Sequence, residues 1–241
     1  MYRILFLFLL FTTKIIAQID TNNLDHNLAL KNYNIVTIKD STSIEIAKFD
    51  KFYFKNNIST LVNKNCEEAN QINFFFFFYN KELKVNNILI TITDLHGKVI
   101  KKLKMGDFED ISAFTSFTIY TDQRAKFYRY IPTEFPYIIN YSIEYSSNMS
   151  AFIPNFDVYE TDNTYIINRK FHIINKSDAK IRYRKIDLDG IDLKEVISQN
   201  EYYFEMNNIQ PKVQEEYSIY SDPKITFSLD HFSIYGVEGT F

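Results

Sequence analysis

The sequence predicts an all-β protein: an antiparallel β-sandwich of many short strands with at most one or two short helices. Three observations predict it. Apolar and polar side chains alternate with period two over long stretches, and only an extended strand puts successive residues on opposite faces. Asn- and Asp-rich turn signals separate these runs at short, regular intervals, the spacing of a sandwich. Helical periodicity is scarce, and no heptad pattern, internal repeat or Pro/Ser-rich linker breaks the chain.

The elements follow in order. Met1-Tyr2-Arg3 supplies a positive charge, Ile4 to Phe11 is apolar, and Ile15-Ile16-Ala17 ends on a small residue. That is the layout of a secretory signal peptide over residues 1–17, cleaved after Ala17. Lys14 interrupts the run, and the stretch is shorter than the about 20 apolar residues of a membrane-spanning helix. No transmembrane segment is expected after cleavage. Residues 18–241 then form a single β-sandwich domain, exported to the periplasm or the extracellular space.

Asn23 to Leu30 could supply one or two helical turns. Ser43 to Phe49 sets Ile44 and Ile46 on one side of a strand. The run NFFFFFYN, Asn73 to Asn80, is apolar on both faces, and such a strand is normally central and covered on both sides. It is too short to cross a bilayer as a helix. The expectation is a buried central strand, hairpinned through Asn80–Lys84 to the strand at Val85–Thr93. One face of Phe74–Phe78 packs on the opposite sheet; a short helix, the N-terminal segment or a partner covers the other.

Ile88, Ile90 and Ile92 share a strand face, and Asp94-Leu95-His96-Gly97 turns it into Lys98–Lys104. Thr121-Asp122-Gln123 separates Thr115–Tyr120 from Arg124–Ile131. Pro136 to Ser146 shows the clearest alternation: Tyr137, Ile139, Tyr141, Ile143 and Tyr145 face one way, Asn140, Ser142, Glu144 and Ser146 the other. Tyr165, Ile167, Phe171 and Ile173 are expected on one face. Asp187-Leu188-Asp189-Gly190 closes another turn, and Asp192 to Ser198 reads as one or two helical turns.

Composition excludes several classes. A net charge of −3 gives no basic field for nucleic acid. With 46% apolar residues the chain can bury a core and need not be disordered. Only five glycines and five prolines are present, so Asn and Asp must serve most turns. One cysteine, Cys66, cannot form an internal disulfide.

Four stretches carry a family resemblance: ITDLHGKVIKK (Ile92–Lys102) with Gly106-Asp107, YTDQRAK (Tyr120–Lys126), FPYIINYSIEYS (Phe135–Ser146) with Pro154, and FSIYGVEGTF (Phe232–Phe241). In order and spacing they resemble the bacterial domain of unknown function 3857 over roughly residues 30 to 241. The resemblance implies an exported β-sandwich with no established activity of its own, standing ahead of a transglutaminase-like domain. That following domain carries a Cys, His and Asp triad. Nothing in this sequence matches the triad, so no catalytic residue carries over, and a stand-alone copy or a shortened relative is expected.

The candidate chemistry is sparse. Cys66 is the only thiol, and Glu67 and Glu68 beside it disfavour the thiolate a nucleophile needs. His26, His96, His172 and His231 show no metal-ligand spacing. Asp187, Asp189 and Asp192 resemble the opening of a calcium loop, yet position twelve is Ser198 where an EF-hand needs Glu. The run Gly106–Asp110 reads as a solvated acidic loop, and Asp122 with Arg124 as a local ion pair. Tyr137, Tyr141 and Tyr145 share their face with isoleucines and read as core; Tyr202, Tyr203 and Phe204 are equally compatible with packing. No catalytic, cofactor or metal residue is therefore assigned.

The expected function is a non-enzymatic scaffolding or recognition domain associated with a transglutaminase-like partner or an envelope component. A glycan- or peptide-binding module is the first rival, favoured by an exposed row of Tyr or Phe. A hydrolase is the second; it needs a pocket gathering Cys66, or Asp107 and Glu109, with a histidine.

Overall fold

The computed structural model describes residues 31–113, 122–159, 161–212 and 222–240. With strands numbered along the chain, the main sheet has eight strands in the order β12 (Leu193–Ile197), β13 (Glu201–Ile209), β10 (Thr164–Asn175), β1 (Ile35–Lys48), β2 (Lys51–Val62), β8 (Tyr137–Ser147), β4 (Leu83–Thr93), β5 (Val99–Lys104). All neighbours run antiparallel except β1 and β10, which are parallel. Two three-stranded sheets complete the core: β3 (Phe74–Tyr79), β7 (Arg124–Arg129), β6 (Glu109–Ser112), and β11 (Ile181–Ile186), β14 (Lys224–Leu229), β9 (Phe156–Asp157). A hairpin of β15 (His231–Ile234) and β16 (Val237–Thr240) follows, and a short helix α1 (Glu67–Ile72) leads into β3.

Both small sheets cover the same face of the main one. Residues directly opposite in a ladder share a face. Tyr202, Ile173, Ile44, Phe54, Tyr145 and Val85 form one such file from β13 to β4. Ile44, Ile173 and Phe204 pack with Phe156 and Phe227 of the β11–β14–β9 sheet. Ile88, Ile90, Tyr137 and Ile139 pack with Phe75 and Phe108 on the β3 side. The all-β layered expectation therefore holds.

The opposite face of the main sheet is largely polar, with Lys55–Glu144 and Lys176–Glu45 ion pairs. A small apolar group of Val36, Leu61, Ile138 and Tyr165 interrupts it. This separates Tyr165 from Phe171, against the expected single face. Ile167 packs with Tyr165, while Arg169 turns inward to Asp40. The alternation slips between them, so parity counted across the slip fails.

Other expectations also change. Asp192–Ser198 is not helical: Leu193–Ile197 is β12, the edge of the main sheet, paired with Tyr202–Met206. The Asp187–Gly190 turn is present as expected, with Gly190 at φ 81°, and it carries the chain from β11 to β12 in another sheet. The Asp94–Gly97 turn does form the expected hairpin, closed by Asp94 N–H to Lys98 O at 3.0 Å. The signal peptide, Asn23–Leu30 and the strand at Thr115–Tyr120 lie outside the described residues. Among the described residues, no helix is long and apolar enough to cross a membrane.

Candidate interaction surface

The two asparagines that bracket the phenylalanine run are its clamps. Asn73 is buried, and its side-chain amide lies 2.7–2.9 Å from the Tyr137 hydroxyl. Burial pushes the Tyr137 phenol up to about 12. Asn73 also ends α1, donating its N–H to Ala69 O. At the other end, Asn80 Oδ1 accepts the N–H of Glu82 at 2.9 Å and of Leu83 at 2.8 Å, a local turn that throws the chain from β3 into the main sheet. β3 and β4 are thus joined by a corner between sheets, not by a shared ladder.

β3 is consequently not the central strand the sequence suggests. It is an edge strand that pairs only with β7 among the described residues. Its inner face behaves as expected: Phe75 stacks 6.0 Å from Tyr141, and Phe77 lies 5.5 Å from Tyr145. Its outer face is uncovered: Phe74, Phe76 and Phe78 are 38%, 41% and 47% exposed. Their rings touch in series, with centroids 5.9 Å and 4.6 Å apart. Phe127 of β7 extends the row, the Arg129 guanidinium lies 5.2 Å from the centre of the Phe74 ring, and Ile111 of β6 is also exposed.

A polar knot closes the far end of this sheet. Asp110 accepts from Lys126 Nζ at 2.8 Å, from the Tyr79 hydroxyl at 2.6 Å and from Arg124 Nε at 2.9 Å. Lys126, then Tyr79, hold its carboxyl down to about 2. Two readings are corrected here. Glu109 and Asp110 sit in a strand rather than a loop, and Arg124 bonds Asp110, while the Asp122 carboxylate accepts the Lys81 N–H at 3.4 Å.

Beside β3 lies a half-open cleft of about 250 Å³. Its floor is the inner face of β1, β2, β8 and β10, including Thr37, Ile58, Thr60, Tyr141 and Ile166. One wall is α1 and β3, through Gln71, Ile72 and Phe74–Phe76; the other includes Thr161 and Thr164 at the start of β10. Asp40 and Arg169 meet in the floor, Nε to Oδ2 at 3.0 Å, both almost fully buried. Asn56 Nδ2 donates to Asp40 Oδ1 and to Thr42 Oγ1 at 2.8 Å each, and Arg169 Nη1 donates to Val158 O at 3.0 Å. Buried charges need such partners, because an unpaired one costs several kcal/mol. Sequence reading missed this group, although Asp40 and Thr42 stand at the same parity as Ile44 and Ile46.

The other candidates lie elsewhere. Cys66 caps the start of α1 without a side-chain capping bond; burial and then Glu68 push its thiol up. Asp107 accepts the Lys104 N–H at the 3-10 turn Met105–Asp107. His96 is in the β4–β5 turn, His172 faces Tyr203 and Glu201, and His231 stacks on Phe49. His26 lies outside the described residues. Among the described residues, no three of His, Cys, Asp and Glu gather to hold a metal ion, and that includes Asp187, Asp189 and Asp192. Tyr137 and Tyr145 are core, as read from the sequence. Phe204 is fully buried and Tyr202 packs beside it, while Tyr203 faces outward and bonds Glu205.

The sequence profile of the family described as Domain of Unknown Function with solved structure, DUF3857, matches residues 52–213. A crystal structure titled a "putative protease", from Parabacteroides distasonis, is similar in fold, with a TM-score of 0.63 at 12% identity. The match covers 81% of this chain and spans only 40% of that protein's length. Legionella pneumophila aminopeptidase A in complex with aspartic acid scores 0.34 at 11% identity, covering 83% of this chain and 22% of that one. A Deinococcus radiodurans M1 zinc metallopeptidase scores 0.34 at 6% identity, covering 81% and 42%. These last two likenesses are too slight to bear on the fold. No curated protein matches the chain.

Proposed function

The chain belongs to the DUF3857 family, and from that premise we propose that it is an exported, non-catalytic β-sandwich domain that recognises a protein partner, a transglutaminase-like protein or another envelope component. The exposed row of Phe74, Phe76 and Phe78 carries the reading. Burying one phenylalanine side chain stabilises a fold by about 1.5–3 kcal/mol. A sheet that leaves three such rings 38–47% exposed forgoes part of that gain, and a docked surface recovers that part. Contiguous exposed apolar surface on a soluble domain marks an interaction site.

Residues 1–17 support export. Cys66, Asp107 and Glu109 stand outside the cleft, and the thiol is pushed away from its nucleophilic form, which supports a non-catalytic role. A glycan or peptide of the envelope is the second reading, favoured by the same aromatic row.

The test is recovery of partners from envelope extract on residues 18–241, run beside the triple variant Phe74→Ser, Phe76→Ser, Phe78→Ser. A transglutaminase-like protein held by the native chain and lost from the variant is the expected result. A glycan recovered alone supports the second reading. Equal recovery on both baits rejects the phenylalanine row as the surface.

A further inference from the structure

Three consecutive residues, Phe74, Phe75 and Phe76, line the cleft. Side chains of a strand alternate between faces, so consecutive residues border one space when the strand presents its edge. The hydrogen-bond phase identifies which groups that edge offers. Tyr130 N–H donates to Asn73 O at 2.9 Å, and this pair continues the register in which Phe74 faces Arg129. Bonded and non-bonded pairs alternate along an antiparallel ladder. Phe75 and Phe77 therefore spend their N–H and C=O on β7, while Phe74, Phe76 and Phe78 turn theirs the other way, along the cleft edge.

Among the described residues, the layer over the main sheet is interrupted at this place. β3 packs over β8 through Phe75 on Tyr141, and β9 packs over β10 through Phe156 on Phe171. β2 and β1 lie between, and three strand spacings amount to roughly 14 Å. We infer that this gap is a strand-addition site, in which an extended peptide segment of a partner pairs with the edge of β3 that has no strand beside it among the described residues.

Area argues for a single extended segment rather than a second copy of this chain. A stable interface between folded proteins needs about 800 Å² from each side. A recessed six-residue edge, roughly 20 Å long, cannot present that to another domain. Main-chain bonding to a strand edge is how extended peptides gain affinity without a large interface.

Charge narrows the occupant. Among the described residues, the charged groups lining the cleft, Asp40 and Arg169, are bonded to each other, and the remaining lining is uncharged. Side chains directed at the floor must then be uncharged, and small enough for about 250 Å³. The class is an extended peptide alternating small apolar or hydroxyl residues. This inference rests on reading the β3 region as a recognition surface, but it uses backbone groups where that reading uses rings.

The experiment selects a phage-displayed random dodecapeptide library on residues 18–241 and follows the best sequence as a free synthetic peptide. Its binding is expected to slow amide exchange at Phe74 and Phe76 at least tenfold and to leave Phe75 and Phe77 unchanged. N-methylating alternate peptide amides in one phase should weaken binding at least tenfold, and in the other phase less than twofold. Phe76→Pro removes an outward N–H without touching the β7 ladder, a position where an edge strand tolerates proline. It should lose binding tenfold, while Phe76→Ala loses less than threefold.

No enriched peptide, equal loss from both N-methyl phases, or protection away from Phe74 and Phe76 overturns the inference. The same protection arising from a concentration-dependent dimer overturns it in favour of a second copy. The serine triple variant keeps every backbone amide. Failure of the ring-based surface therefore leaves peptide pairing intact, and the two failures are distinguishable.

Discussion

Two three-stranded sheets share one task on the inside and differ on the outside. The β11–β14–β9 sheet buries Ile225, Phe227 and Leu229 inward and presents Lys224, Thr226 and Ser228 with Arg182 and Arg184 outward. The β3–β7–β6 sheet buries Phe75 inward, with Phe77 partly buried beside it, and presents Phe74, Phe76 and Phe78 outward. The same period-two strand geometry serves both. Packing on the main sheet explains both inner faces and the polar outer face, but it does not call for the aromatic one. What the fold leaves unexplained on one of two equivalent sheets is where function is to be sought.

The largest effect separating the sheets is expected at Phe227, which packs 5.2 Å from Phe171 and 5.7 Å from Phe204. Phe227→Ala should cost about 3–5 kcal/mol, read as a fall in the urea midpoint. A much smaller loss would mean that this sheet is loosely docked, and the contrast would weaken. Asn73→Ala comes next, at about 1–3 kcal/mol, because the buried Tyr137 hydroxyl loses its partner. Adding Tyr137→Phe should recover part of the loss, a coupling that a double-mutant cycle measures.

On the outer face, Phe76→Ser should change stability by no more than about 0.5 kcal/mol. A loss as large as that of Phe227→Ala would show the row to be structural and dissolve the comparison. The smallest effect concerns Asp110, whose folded pKa is lowered from 3.8 to about 2. A depressed carboxylate contributes stability above its unfolded value and loses it as pH falls through the folded one. The Tyr79–Arg124–Lys126 knot should therefore hold at pH 4 and loosen toward pH 2, followed by the carboxyl carbon shift of Asp110. Because the knot is exposed, added salt should shrink the effect. A midpoint at 3.8 would show that the knot does not hold the carboxylate.

Much of the fold is legible in the residues. Ile88, Ile90 and Ile92, or Tyr137 to Tyr145, announce a strand and its buried side through alternation alone. Asp94 to Gly97 announces a hairpin through turn chemistry. The failures share one cause. Leu193–Ile197 reads as a possible helical turn until β13 pairs with it. Tyr165 and Phe171 lose their common face to a slip that no residue type signals. The candidate site was half visible: the run of phenylalanines stands out, but its apolar outer face suggested cover, and the Asp40–Arg169 pair joins residues 129 positions apart, as the β1–β10 register shows.

By itself, then, the sequence determined most of the segments that extend, the shared faces within unbroken runs and where the chain turns, because side-chain period and turn preference are local properties of the backbone. Only the tertiary structure decided which strand lies beside which, and so which phenylalanine face stays in water. Ladder hydrogen bonds join backbone groups that are the same in nearly every residue. The choice of neighbour therefore depends on how the apolar faces of the whole chain can be buried together.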